Sequence, residues 1–167
     1  MESEFEVILT TSHKREMIAY IYSHPECFEE GIKLAVSDKQ PYSWRAAWCL
    51  WSCMEKNDNR IRKHIKEIIK ILPNRKYNQQ RELLKIIELM EIDDKYIGTL
   101  FKYCVSIWLN VNSKPSVRYN AFRILAKIAL KHVELNRELE LLTKERYTES
   151  LSPGVYNAIG KLMSKIK

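Results

Sequence analysis

Pro41-Tyr42-Ser43-Trp44-Arg45-Ala46-Ala47-Trp48-Cys49-Leu50-Trp51 opens the most apolar helix that the sequence predicts, and weaker copies of its pattern recur toward the C-terminus. Proline suits a first helical turn, where its missing N–H has no intrahelical partner. Trp44, Ala47, Trp48 and Trp51 follow at i, i+3, i+4 and i+7 on one face, with Ala46, Leu50 and Cys53 opposite. A helix apolar on both sides must be covered on both. The three tryptophans therefore read as core, and the alanines as the place where a neighbouring helix comes close.

On either side of this stretch, periodic apolar positions mark about nine helices in the chain. After a short frayed lead, Met17, Ile18, Ile21 and Tyr22 share one side of a helix over 13–22, which Ser23-His24-Pro25 ends. Pro25 opens a second helix, and Asp38-Lys39-Gln40 links it to the tryptophan helix. Ile61, Ile65, Ile68, Ile69 and Leu72 then form a stripe with Arg62, Lys63, Lys66 and Lys70 behind it, a surface helix with a basic exterior. Pro73-Asn74 breaks that helix, and Asp93-Asp94, Pro115 and Ser152-Pro153 open later ones.

Placing Ala47, Leu83, Ala121 and Ala158 in register gives spacings of 36, 38 and 37 residues, with Trp48, Leu84, Phe122 and Ile159 as the bulky neighbours. A near-constant period filled by two helices marks an α-solenoid, whose units must stack because each exposes an apolar side that only the next covers. A four-helix bundle with extra helices is the structural alternative. The solenoid reading gives one domain over 1–167, with helix pairs near 25–56, 57–91, 95–132 and 134–167 and an N-terminal half-repeat at 13–22.

Pro115-x-Val117-Arg118-x-x-Ala121-x-x-Ile124-Leu125, and more loosely Pro41 to Trp51, resemble the Pro-x-Val-Arg-x-x-Ala-x-x-Leu pattern of HEAT repeats, in the armadillo-like class. The likeness covers roughly 25–167 and implies an all-α, right-handed α-α superhelix, in copies shorter than the usual ~40–47 residues. The chain is also similar to small bacterial HEAT-like proteins of unassigned role, some of which carry the label adenylosuccinate lyase. That superfamily's Gly-Ser-Ser-x-Met-Pro-x-Lys-x-Asn signature has no counterpart here, and Leu151-Ser152-Pro153-Gly154 reads as a turn, so the lyase reading is disfavoured.

At 167 residues, with 46% hydrophobic and 29% charged side chains, the chain has ordinary globular composition, and four glycines and five prolines leave little room for an all-β fold. The acidic start lacks the basic and apolar regions of a secretory signal, and no apolar run approaches the ~20 residues of a membrane span. A cytoplasmic protein with no membrane association and with reduced, packed thiols is expected. The net charge of +7 is unevenly spread, with −5 over residues 1–30 and +7 over residues 60–81. Such polarity steers acidic proteins or nucleic acid, while a lysine-rich helix face also serves simple solvation.

His13, His24, His64 and His132 stand alone, and neither a metal-ligand spacing, a Gly-rich phosphate loop nor a nucleophile elbow occurs. Asp93-Asp94 reads as a helix cap. No cofactor and no enzymatic activity are expected. The resemblance implies that the second helix of each pair, opening at Pro41, Tyr77, Pro115 and Pro153, lines a concave face. Two residues before each registered core position stand Arg45, Arg81, Tyr119 and Tyr156, and Lys85, Arg123 and Lys127 lie beside them. These seven are the candidate partner-binding residues. In the alternative, the arginines bond within the stack and the tyrosines fill gaps. The expected role is a protein- or peptide-binding scaffold whose groove holds an acidic or extended peptide. Binding of nucleic-acid phosphate, as in HEAT-like DNA-repair glycosylases, is the alternative, although their groove residues have no match here.

Overall fold

The computed structural model describes residues 1–167 and is entirely helical, with twelve α-helices, two single turns of 3₁₀ helix and no strand. They form two compact units, Met1–Glu91 and Ile92–Lys167. In the first unit α1 spans Glu4–Thr11, α2 Lys14–Ser23, α3 Cys27–Val36, α4 Tyr42–Cys53, α5 Asn59–Arg62, α6 Ile65–Ile71 and α7 Tyr77–Leu89. The second holds α8 over Asp94–Leu109, α9 over Pro115–Lys131, α10 over Asn136–Leu142, α11 over Glu145–Thr148 and α12 over Pro153–Ile166.

Twelve helices replace the expected nine for three local reasons. The N-terminal lead is not frayed: Ser3 and Glu6 form a reciprocal capping box that starts α1, and Phe5 and Leu9 are buried. The helix expected over 59–72 is divided at Lys63–His64, where His64 N–H bonds Ile61 O at 2.8 Å and tightens the turn. The helix expected after His132 ends at Leu142, and Thr143 caps that end with its hydroxyl on Glu140 O.

In the first unit α4 lies between α3 and α7 and also meets α1 and α2. Small side chains make up most of its buried face: Ala46, Ala47 and Cys49 are fully buried, together with Leu50. Gly31 of α3 belongs to the same seam, since a Cβ there would come within 3.1 Å of Leu50 and 3.4 Å of Phe5. The expectation that Trp44, Trp48 and Trp51 are core is corrected, because all three are only half-buried. Helices held together by alanine and cysteine leave no width for an indole between them, so the rings are displaced to the edge of the seam. The core tryptophan is Trp108 of α8, fully buried against Phe122 at 4.7 Å between ring centroids. Of the registered positions, Ala47, Leu83 and Ala121 are fully buried, whereas Ala158 is half-buried.

Side-chain donors hold the helix ends together. Gln79 of α7 donates to Ala35 O and Ser37 O at 2.8 Å each, and Arg75 donates to Val36 O, satisfying carbonyls at the end of α3 that have no intrahelical partner. Gln80 donates to Leu72 O at the end of the preceding helix. Asn57, at φ 56°, carries the left-handed turn after α4, and its N–H bonds Leu89 O. In the second unit Arg118 does the equivalent work: fully buried, it donates to Trp108 O, Tyr147 O and the Ser150 hydroxyl. Trp108 Nε1 in turn donates to Leu142 O at 2.8 Å.

Replacing Trp108 by Ala removes both a filled core position and that hydrogen bond, and is expected to cost about 3–5 kcal/mol. Trp48→Ala, at a half-buried edge, is expected to cost less than half as much. Urea unfolding of the two variants, followed by circular dichroism, checks the ordering.

Asp58 gives a pH-dependent test. Its buried carboxylate caps α5 and accepts from the Glu55 and Arg60 N–H groups and from the Arg60 guanidinium. The Arg60 hydrogen bonds lead in drawing its pKa from the ordinary 3.8 down to about 2. Because the folded value lies below the unfolded one, the stability that Asp58 adds is present above about pH 4 and is lost as pH falls through about 2. Asp58→Asn is expected to be about 1–2 kcal/mol less stable than wild type near neutrality, allowing for the solvent-facing side of Arg60. Denaturation midpoints of the two proteins, measured between about pH 6 and 2, should converge at the acid end.

Candidate functional site: a tryptophan and cation strip

The half-buried indoles of α4 gather cations from the helices beside them. Trp48 and Trp51 meet edge to face, 6.3 Å between centroids and 77° between planes. Lys14 of α2 lies over the Trp48 ring at 5.3 Å, and Lys85 of α7 over the Trp51 ring at 4.4 Å. Both distances fall within the range in which a ring quadrupole attracts a cation.

Beneath this strip lies Glu82 of α7, a buried carboxylate whose side chain is 1% exposed. Its Oε1 accepts from Arg81 Nε at 2.7 Å, and its Oε2 accepts from the Trp51 indole N–H and stands 3.5 Å from Lys85 Nζ. A carboxylate taken from water is costly unless paired; here three donors surround it. The strip runs unbroken from Lys14 through Trp48, Trp51 and Lys85 to Glu82 and Arg81, across α2, α4 and α7.

The structure thus brings two of the seven candidates, Arg81 and Lys85, into one cluster. Arg45 is half-committed inside its unit: Nη1 donates to Leu9 O at 2.8 Å, and the guanidinium lies 5.0 Å from the Trp44 ring centroid. In the second unit Arg123 stacks on Tyr119 at 5.8 Å. Arg123 and Lys127, one turn apart on α9, are half-buried, and both have partners. Tyr156 is 56% exposed on α12 and lines a cavity of about 600 Å³ together with Thr143, Thr148 and Leu151. Sequence reasoning missed Glu82, Lys14 and the half-buried position of the tryptophans. The one available signal was the acidic residue set directly between Arg81 and the registered core Leu83.

Elsewhere the chemistry is sparse. The four cysteines are free; Cys49, Cys53 and Cys104 are buried, and burial pushes the Cys104 thiol up. No three His, Cys, Asp or Glu side chains converge as a metal site would require. No helix is long and apolar enough to cross a membrane.

The family model for the HEAT repeat domain matches residues 1–166, and the chain belongs to that family. HEAT repeat domains are helical scaffolds that often mediate interactions, and they are generally non-enzymatic. No curated protein and no solved structure gives a significant match.

Proposed function

We propose that this protein is a non-catalytic interaction module that holds an acidic, extended segment of another protein against the α4–α7 face of its first unit. The observation that carries this reading is the strip itself: two tryptophans, Lys14, Lys85 and Arg81 on one side, with the single carboxylate among them buried. Aromatic and arginine side chains are enriched where proteins grip partners, and such a strip of cations complements carboxylates.

Nucleic acid is the weaker reading for this face. Base stacking needs open aromatic surfaces, and Lys14 and Lys85 already cover one face each of Trp48 and Trp51. The observation that favours phosphate lies on α5 and α6, where Arg62, Lys66 and Lys70 are exposed. Counterion release there would give steeply salt-dependent binding to duplex DNA.

The test is fluorescence anisotropy of a fluorescein-labelled octaglutamate peptide at low salt, beside a labelled DNA duplex. Saturable binding of the peptide, weakened by Lys14→Gln with Lys85→Gln and unchanged by Lys66→Gln with Lys70→Gln, is the expected result. Failure of the peptide to saturate sinks the proposal. Duplex binding lost on changing Lys66 and Lys70 assigns that row to phosphate.

A further inference from the structure

Within the strip, Arg81 and Lys85 are held in a way that points to what they receive. Arginine carries five N–H donors, and Arg81 uses only Nε, on Glu82 Oε1. Its two terminal nitrogens make no hydrogen bond, and its side chain is 31% exposed. Lys85, one turn later on α7, is placed by the Glu82 charge and the Trp51 ring rather than by a hydrogen bond, and its side chain is 28% exposed. Both oxygens of Glu82 are engaged and its side chain is closed to solvent. It is therefore not a ligand group but a brace beneath two cations.

We infer that Arg81 and Lys85 form a subsite for one carboxylate group, with Glu82 as its positioning residue. The inference rests on the α4–α7 face being the binding face and names what that face recognises. Two cations over one buried anion leave a single positive charge, which a monoanion balances. A carboxylate is planar, and its two oxygens match the pair of terminal guanidinium nitrogens that Glu82 leaves open. The brace also lowers the cost of ordering: the Arg81 and Lys85 side chains are fixed before the partner arrives, so little rotamer freedom remains to be lost.

The experiment compares octaglutamate and octaglutamine binding to wild type, Arg81→Lys, Lys85→Gln, Glu82→Gln and the remote control Lys66→Gln. Circular dichroism and melting temperature establish that each variant is folded. Wild type should bind octaglutamate and not octaglutamine. Arg81→Lys keeps the charge and loses the fork, and should weaken binding about tenfold. Lys85→Gln should weaken it several-fold, and Lys66→Gln should leave it unchanged. The Trp51 indole N–H resonance should shift on peptide addition to wild type and less so in Arg81→Lys.

If Glu82→Gln fails to fold, Arg81→Lys and Lys85→Gln still decide the matter, since both replace partly exposed side chains. Wild-type binding that both variants retain, with an unmoved Trp51 resonance, overturns the subsite while leaving the scaffold reading intact. Absence of wild-type binding to octaglutamate removes both.

Discussion

A helix leaves its last carbonyls without intrahelical partners, and stacked helices bury many of those ends away from water. The structure meets this constraint with side chains from neighbouring helices. Gln79 and Arg75 serve the end of α3, Gln80 the turn after α6, Arg118 the ends of α8 and α11, and Trp108 the end of α10. Gln80 and Arg118 each stand three residues before a registered core position, Leu83 and Ala121, so these two repeats share a task as well as a pattern. Arginine does more at that position because its fork reaches three acceptors where glutamine reaches one.

The site follows from packing. Because the buried face of α4 is made by Ala46, Ala47, Cys49 and Leu50, its indoles lie at the margin of the seam, half in water. An indole there has one N–H to satisfy and a face that attracts cations. Glu82 answers the first need, and Lys14 and Lys85 the second. The proposed binding chemistry and the repeat packing thus share α4.

The all-helical repeat was legible because its signals are local and periodic. Pro41, Tyr77, Pro115 and Pro153 open or directly precede the helices assigned to them, and three of the four registered core residues are fully buried. The N-terminal helix was equally legible in Ser3-Glu4-Phe5-Glu6, where a capping box was mistaken for a loose end. The tryptophans were not. Helical periodicity tells which residues share a face but not how near the next helix comes, and that distance, set by alanine and cysteine, decides whether an indole fits inside. Glu82 was illegible for a related reason: a charged residue in an amphipathic helix reads as solvent-facing until Trp51 and Arg81 are seen to close over it.

The four tryptophans are divided three to one between the compact units: Trp44, Trp48 and Trp51 in the first and Trp108 alone in the second. The first three are partly wet, and two of them sit under ammonium groups; the last is dry and stacked on phenylalanine. Indole emission moves to longer wavelength in a polar, relaxing environment, so the red and blue edges of the native spectrum belong to different halves of the chain. Without any attached dye, unfolding followed at two wavelengths resolves whether those halves melt together.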